Sequence, residues 1–287
     1  VDKTDFLSRL ETVENLPTLP VVAQQIQKLI ANPGSSMVQI AGIIAKDQAI
    51  AARVIRLINS AFYGMGGKVT SIQQAIVMLG LNTVKNLVMG VSVVKLFQDS
   101  ASASIFDRQK FWMHTFACAL GSQAIAKNTG CEHSEDFFLA GLLHDIGILV
   151  LDQFFHEEFI GVLHYATSNK TDYTKAERAI LGMTHQEIGE YVARKWKVPD
   201  FLLHAIRHHH YPAVTDRDCE ASLTIMAVVH VADVASINRG IDMGYKNGAR
   251  NYCEPALKRI RLSMEKVNEL FDGVEKEVAS VTAEWGV

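Results

Sequence analysis

The chain has 287 residues, 48% apolar and 21% charged, an ordinary balance for a globular protein with room for a buried core and two subdomains. A formal net charge of −3 gives no electrostatic basis for nucleic acid or an anionic membrane as a primary partner. Cys118, Cys131, Cys219 and Cys253 stand without C-x-x-C or finger spacing, no secretory run opens the chain, and no apolar window of 18 residues is free of charge; the expectation is a soluble, cytoplasmic protein with reduced thiols.

Helical periodicity runs through almost every segment, with Pro and Gly falling between segments. Asp5 to Val13 is predicted as a first short helix. Leu16-Pro17-Thr18-Leu19-Pro20 forces an extended lead into a helix from about Val21 to Ala31, apolar along Val22, Ile26, Leu29 and Ile30, which Asn32-Pro33-Gly34 stops. Ser36 opens the next, with Val38, Ile40, Ile43 and Ile44, and Gln48 to Ser60 continues the pattern. Tyr63 to Gly67 reads as a Gly-rich loop, and Ser71 to Leu79 and Asn82 to Phe97 as helices flanking Gly80. The small, polar stretch Gln98 to Ser104 marks a boundary between residues 1–104 and 105–287. No β-alternation survives, so the expected fold class is all-α, an N-terminal helical bundle followed by a second helical core. The bundle carries no constellation of His, Cys or paired carboxylates. Its Asp47 and Asn59 read as capping or solvated residues, and the bundle is assigned to packing and partner recognition.

Asp107 is a plausible N-cap for a helix to about Asn128, stopped near Gly130, with His114 beside Phe111, Trp112 and Phe116. Phe137 to Phe155 is a strongly apolar segment, read as helical, interrupted by His144 and Asp145. A buried carboxylate needs a partner, because leaving it unpaired costs several kcal/mol. Asp152 to Asn169 follows, with His156 and His164 read as surface residues. Thr184-His185-Gln186-Glu187 has capping-box form, placing His185 in the first turn of a helix to about Trp196, where the helix dipole favours a neutral imidazole. Pro199 and Asp200 open a helix ending in His208-His209-His210-Tyr211-Pro212, and Leu223 to Ile237 is an apolar helix interrupted by His230 and Asp233. From Glu254 onward come two amphipathic helices, expected to pack on the core, with a homodimer face as the alternative.

The ligand-type residues are thus His114, His144, Asp145, His185, His209, His210 and Asp233, on separate predicted helices of one domain. Converging, five imidazoles and two carboxylates suit one or two divalent transition-metal ions, iron, manganese, nickel or zinc, with no organic cofactor. The alternative is that all seven pair with each other or with backbone.

At these residues the chain resembles the HD superfamily of metal-dependent phosphohydrolases, with its H…HD…D pattern, and most closely the HDOD family, the HD-related output domains of bacteria. The likeness starts near Leu16 and covers nearly the whole remaining chain. It rests on the Leu-Pro-x-Leu-Pro lead, Ile43-Ile44-Ala45-Lys46-Asp47-Gln48, Leu57 to Tyr63, Ser71 to Ile76 and Leu79-Gly80-Leu81. Phe111-Trp112-x-His114, Gly141 to Gly147, His185 to Gly189 and Ile206-x-x-His209-His210-x-Pro212 complete it. The resemblance implies HD-type ligands at His114, His144, Asp145 and Asp233, and further HD-GYP-like histidines at His185, His209 and His210. Asp145 would orient an attacking water if the protein were catalytic. Three positions depart from related phosphodiesterases: Lys110 stands where they carry glutamate, Ile148 where they carry a phosphate-facing lysine, and Tyr211-Pro212 where they continue into an acidic Gly-rich loop. The first reading is therefore a signalling output module that acts through contacts with partner proteins and holds a metal structurally. The second is an active metal-dependent phosphohydrolase, and the third a redox or oxygen-sensing di-metal site.

Overall fold

The computed structural model describes residues 2–13, 16, 18–30, 36–60, 63, 67–98, 106–212, 220–243 and 250–287. Its helices are α1 (Lys3–Thr12), α2 (Val21–Ile30), α3 (Met37–Lys46), α4 (Gln48–Ile58), α5 (Ile72–Leu79), α6 (Leu81–Leu96), α7 (Arg108–Asn128) and α8 (Ser134–Leu143), then α9 (Ile146–Phe154), α10 (His156–Asn169), α11 (Tyr173–Leu181), α12 (His185–Lys195), α13 (Asp200–His208), α14 (Glu220–Asn238), α15 (Glu254–Ile260) and α16 (Met264–Glu284). Among the described residues there is no strand, in line with the all-α expectation. The Asn32-Pro33-Gly34 stop, and most of the Tyr63–Gly67 loop and of the Gln98–Ser104 boundary, lie outside the described residues.

Local chemistry sets the helix starts. Ser36 makes a reciprocal capping box with Gln39 at the head of α3, and Thr184 does the same with Glu187 at the head of α12. Asp47, Ser71, Asp107, Asp172 and Ser263 each accept a first-turn backbone N–H at the starts of α4, α5, α7, α11 and α16. Asn59 uses its amide on both sides of Val69, accepting from its N–H at 3.1 Å and donating to its carbonyl at 2.7 Å.

Helices α2 to α6 pack on one another as the N-terminal bundle, and α7, α8 and α14 form the centre of the second core, with α16 lying along α7. The first helix departs from the predicted division at residue 104. The ring of Phe6 lies 4.7 Å from that of Phe155, Arg9 bonds Glu158, and Lys3 Nζ is 2.9 Å from Glu187 Oε1, so α1 docks on α9–α12. The chain's last turn makes the opposite tie. Arg53 of α4 bonds the Trp285 carbonyl, Gln98 bonds the Gly286 carbonyl at 2.7 Å, and the Trp285 ring packs between Phe116 and Phe138. The apolar face of α16, Val267, Phe271, Val274, Val278 and Val281, is buried within the chain. Two apolar stretches, Ser134–Phe154 and Glu220–Asn238, would be long enough to cross a membrane by length and composition, but 89% and 78% of their windows are covered by neighbouring helices.

The long apolar segment does not run as one helix. Helix α8 ends at Leu143 and α9 begins at Ile146, with His144 and Asp145 at the corner, and a second corner at Phe155 divides α9 from α10. Helix α11 has no counterpart in the sequence reading, although Asp172 as cap, Tyr173, Ala176, Ile180 and Leu181 at helical spacing, and Gly182 as stop, all mark it. Helices α9 and α12 cross backbone to backbone. A Cβ on Gly147 would sit 1.9 Å from the His185 carbonyl oxygen, and one on Gly189 would meet Ile206 at 2.9 Å and the Gly147 nitrogen at 3.1 Å. Only glycine permits this approach, and it carries the first turn of α12 to the His144-Asp145 corner.

Candidate metal centre

Helix ends and helix interiors both deliver imidazoles to the centre. His144 is the C-cap of α8 and His209 the C-cap of α13, and each donates its Nδ1–H to the carbonyl three residues back, Gly141 at 2.7 Å and Ile206 at 2.9 Å. These are carbonyls that a helix end leaves without an amide partner. His114, inside α7, donates Nδ1–H to the Ile241 carbonyl at 2.9 Å. His185, the first residue of α12, directs Nδ1 at the Glu177 carboxylate, 2.9 Å from either oxygen. Four rings are thereby fixed in orientation, each with Nε2 turned inward.

Those Nε2 atoms converge on Asp145. Its Oδ2 lies 3.0 Å from His144 Nε2 and 3.7 Å from His114 Nε2, while Oδ1 lies 3.1 Å from His209 Nε2 and 3.3 Å from His185 Nε2. Asp233 completes the second side, with Oδ1 3.2 Å from His114 Nε2 and Oδ2 3.5 Å from His210 Nδ1. His210 differs from the other rings. Its Nε2 lies 3.2 Å from His185 Nε2, and its Nδ1 lies 3.1 Å from Arg250 Nη1. Two sets of mutually close ligand atoms result, Asp145 with His185, His209 and His210, and His114 with His144 and Asp233. Asp145 offers one oxygen to each set. All seven residues named from the sequence therefore meet at one place, six of them fully buried and His210 nearly so.

Electrostatics follow from this crowding. Burial works against the charged form of Asp145 and Asp233, but the surrounding imidazoles outweigh it and hold both carboxyls well below the usual range. Burial and the neighbouring rings push His209 down to about 4, and burial with adjacent His209 holds His210 well below an ordinary histidine. The expectation of a neutral His185 does not hold for the metal-free protein. Burial would lower it, but the Glu177 and Asp145 carboxylates on either side raise it to about 10. The partial charge of a helix end is outweighed by two full charges within 3.3 Å.

Glu177 went unread because α11 did. It is fully buried, and besides the ring it accepts the His185 backbone N–H at 3.0 Å, so it fixes the residue twice. A carboxylate on the apolar face of α11, four residues after Tyr173, was the available signal. His230 has a supporting task. Its Nδ1–H donates to the His209 carbonyl at 2.7 Å and its Nε2 accepts from the Cys253 N–H at 2.9 Å, which leaves no lone pair for an ion.

The donor set fits a divalent transition metal. His114 Nε2, His144 Nε2 and both Asp145 oxygens are buried without a hydrogen-bond partner, and a divalent cation set among them would satisfy all four atoms. The carboxylate behind His185 and the carbonyls behind His114, His144 and His209 are the supports that metal-bound histidines use.

An all-helical core that brings His, a His-Asp corner and a distant Asp to one point is the architecture of an HD-type protein. The HDOD domain matches residues 16–212, and the chain belongs to the HDOD family. The match ends at Pro212, short of the near-complete coverage expected, so Asp233 and Arg250 lie beyond it. An uncharacterised protein of Treponema pallidum (strain Nichols) is 26% identical over 201 residues, 70% of this chain and 38% of that relative's length. The structure of an HDOD domain protein of unknown function from Geobacter sulfurreducens superposes with a TM-score of 0.79 at 24% identity, over 98% of this chain and 96% of the other. A candidate signal transduction protein from Marinobacter aquaeolei VT8 gives 0.76 at 26% identity, over 99% of this chain and 65% of that one.

Proposed function

We propose that this HDOD protein is a regulatory module that signals through protein contacts and is organised around a centre for one or two divalent transition-metal ions. Its ligands are His114, His144, Asp145, His185, His209, His210 and Asp233. One observation carries the reading: four imidazoles have Nδ1 tied to a carbonyl or carboxylate, and all four Nε2 atoms face the otherwise unpartnered oxygens of Asp145. The likeness to a candidate signal transduction protein supports the regulatory part. So does the interior at Ile148, which is fully buried among apolar neighbours and presents no cation to a phosphoryl group. The N-terminal bundle, free of comparable chemistry, is the part suited to partner recognition. Elemental analysis of protein purified without chelator should find one to two metal ions per chain, with anomalous scattering at Asp145. Metal-free protein from metal-replete growth would sink the reading.

A second reading, a metal-dependent phosphohydrolase, draws on the Asp145 carboxylate set between two ligand groups. A bound ion there would supply Lewis acidity and a water ionised near neutral pH. Asp145 would hold and orient that water, and His210 opens the centre to an adjoining cavity. Robust, metal-dependent cleavage of a generic phosphodiester, abolished by Asp145→Ala in folded protein, would favour this reading over the regulatory one.

A further inference from the structure

We propose that Arg250 makes the cavity beside the metal centre a binding site for a small phosphate-bearing ligand, an inference that rests on the metal reading for half of its positive charge. The cavity measures about 360 Å³ and is lined by Tyr173, His210, Tyr211, His230, Arg250 and Asn251 among others. That volume is at the small end of ligand pockets and suits a molecule no larger than about a mononucleotide. Its inner wall is His210, a residue of the metal centre, so a ligand seated here touches the edge of that centre.

Arg250 is placed there by its backbone. Asn238, at the end of α14, accepts the Arg250 N–H at 2.8 Å and donates to the Arg250 carbonyl at 3.0 Å. The same helix carries Asp233, so the guanidinium and the carboxylate are held by one element. Nη1 is committed to His210 Nδ1 at 3.1 Å and Asp233 Oδ2 at 3.4 Å. Among the described residues Nε and Nη2 meet no acceptor, which leaves one side of a planar fork for a ligand oxygen pair. Among the described lining residues the carboxylate is Asp172, which already has partners of its own. It accepts the Thr174 hydroxyl at 2.7 Å and the Lys175 backbone N–H at 2.9 Å, and Lys175 Nζ lies 3.0 Å away. Tyr211 and Asn251 also line the cavity. A guanidinium fork beside a cationic centre favours a doubly charged phosphate over a singly charged carboxylate.

The cation that the sequence lacks at Ile148 is thus supplied from a loop after α14, more than a hundred residues later in the chain. The test is calorimetric titration of the metal-loaded protein with inorganic phosphate, with acetate in a parallel arm and metal content measured on every sample. Phosphate should bind, and Arg250→Gln should weaken it at least tenfold, since one hydrogen bond to a charged group is worth about 1.5–3 kcal/mol; Arg250→Lys should recover part of the loss. If Arg250→Gln also sheds metal, the comparison is made on chelated proteins, which differ only at Arg250. Binding by chelated wild type that Arg250→Gln abolishes would uphold the site even if no metal is ever found, so the two readings fail separately. Equal phosphate affinity in wild type and Arg250→Gln, no phosphate binding by wild type, or acetate binding as tightly as phosphate would overturn the proposal.

Discussion

Asp47 and Asp145 stand at the same kind of place in two different regions. Each ends one helix and precedes the next, Asp47 between α3 and α4 and Asp145 between α8 and α9. In the N-terminal bundle Asp47 does what a helix start asks of it, accepting the Ile50 N–H at 3.0 Å. In the second core Asp145 makes no capping bond, and its carboxylate turns instead to four imidazoles. Forgoing a cap costs about 1 kcal/mol, and burying an unpaired carboxylate costs more. Among the described residues the bundle's buried polar side chains are Asn86 and Ser92, whereas the second core buries six of the seven ligand-type residues named above, His210 nearly so, as well as Glu177. Both regions cap helices with polar side chains, Asp47 and Ser71 in one and Asp107, Asp172, Thr184 and Ser263 in the other. The second core also turns acids and imidazoles inward, and those groups meet at one point.

The largest test of this contrast is Asp145→Asn. The amide keeps the shape and removes the charge that joins the two ligand sets, and the expected result is at least a tenfold fall in bound metal, with helical circular dichroism retained. Full metal stoichiometry in the variant would show that the two sets do not depend on a shared carboxylate.

Next in size is Glu177→Gln. Removing the carboxylate behind a metal-bound histidine typically weakens metal binding about 10- to 100-fold, and a competition titration against a chelating dye would read it. The same change has a pH signature in metal-free protein. His185 is raised to about 10 in the folded state, so the stability it contributes is complete below its unfolded value of about 6.5 and is lost as pH climbs through 10. Glu177→Gln should shrink that alkaline loss, as followed by urea midpoints across the window. An unchanged pH profile would mean that Glu177 is not what holds the proton on His185.

Much of this was legible before any coordinates. The capping box at Thr184, the caps at Ser36 and Asp107, and the all-helical pattern follow from short-range rules, and all seven candidate ligands were named because acids and imidazoles stand out in apolar helices. What escaped depended on the third dimension. Nothing local says that α8 breaks at His144 rather than passing through it, because Leu142, Leu143, Ile146 and Ile148 keep helical spacing across the corner; the break is enforced by the Gly147–His185 backbone crossing. The docking of α1 on Phe155 and Glu187 joins residues separated by most of the chain. Glu177 and Arg250 show the same difficulty for function. Each looks like an ordinary charged residue in sequence and acquires its place only when α11 or the end of α14 is folded.

The smallest expected effect closes the comparison from the other side. Asp47→Ala should lower stability by about 1 kcal/mol, the usual worth of an N-cap, and leave metal content untouched. The effect is small because Asp47 is only half-buried and water can take over its bond to the Ile50 N–H, a relief that the enclosed Asp145 does not have. It should also stay local, since the Arg53 bond from α4 to the Trp285 carbonyl starts from the middle of the helix, beyond its capped first turn. A shift in the urea midpoint with unchanged bound metal is the expected pair of readings. Loss of metal on Asp47→Ala would mean that the bundle and the metal centre fold as one unit, and the division of labour between the two aspartates would have to be given up.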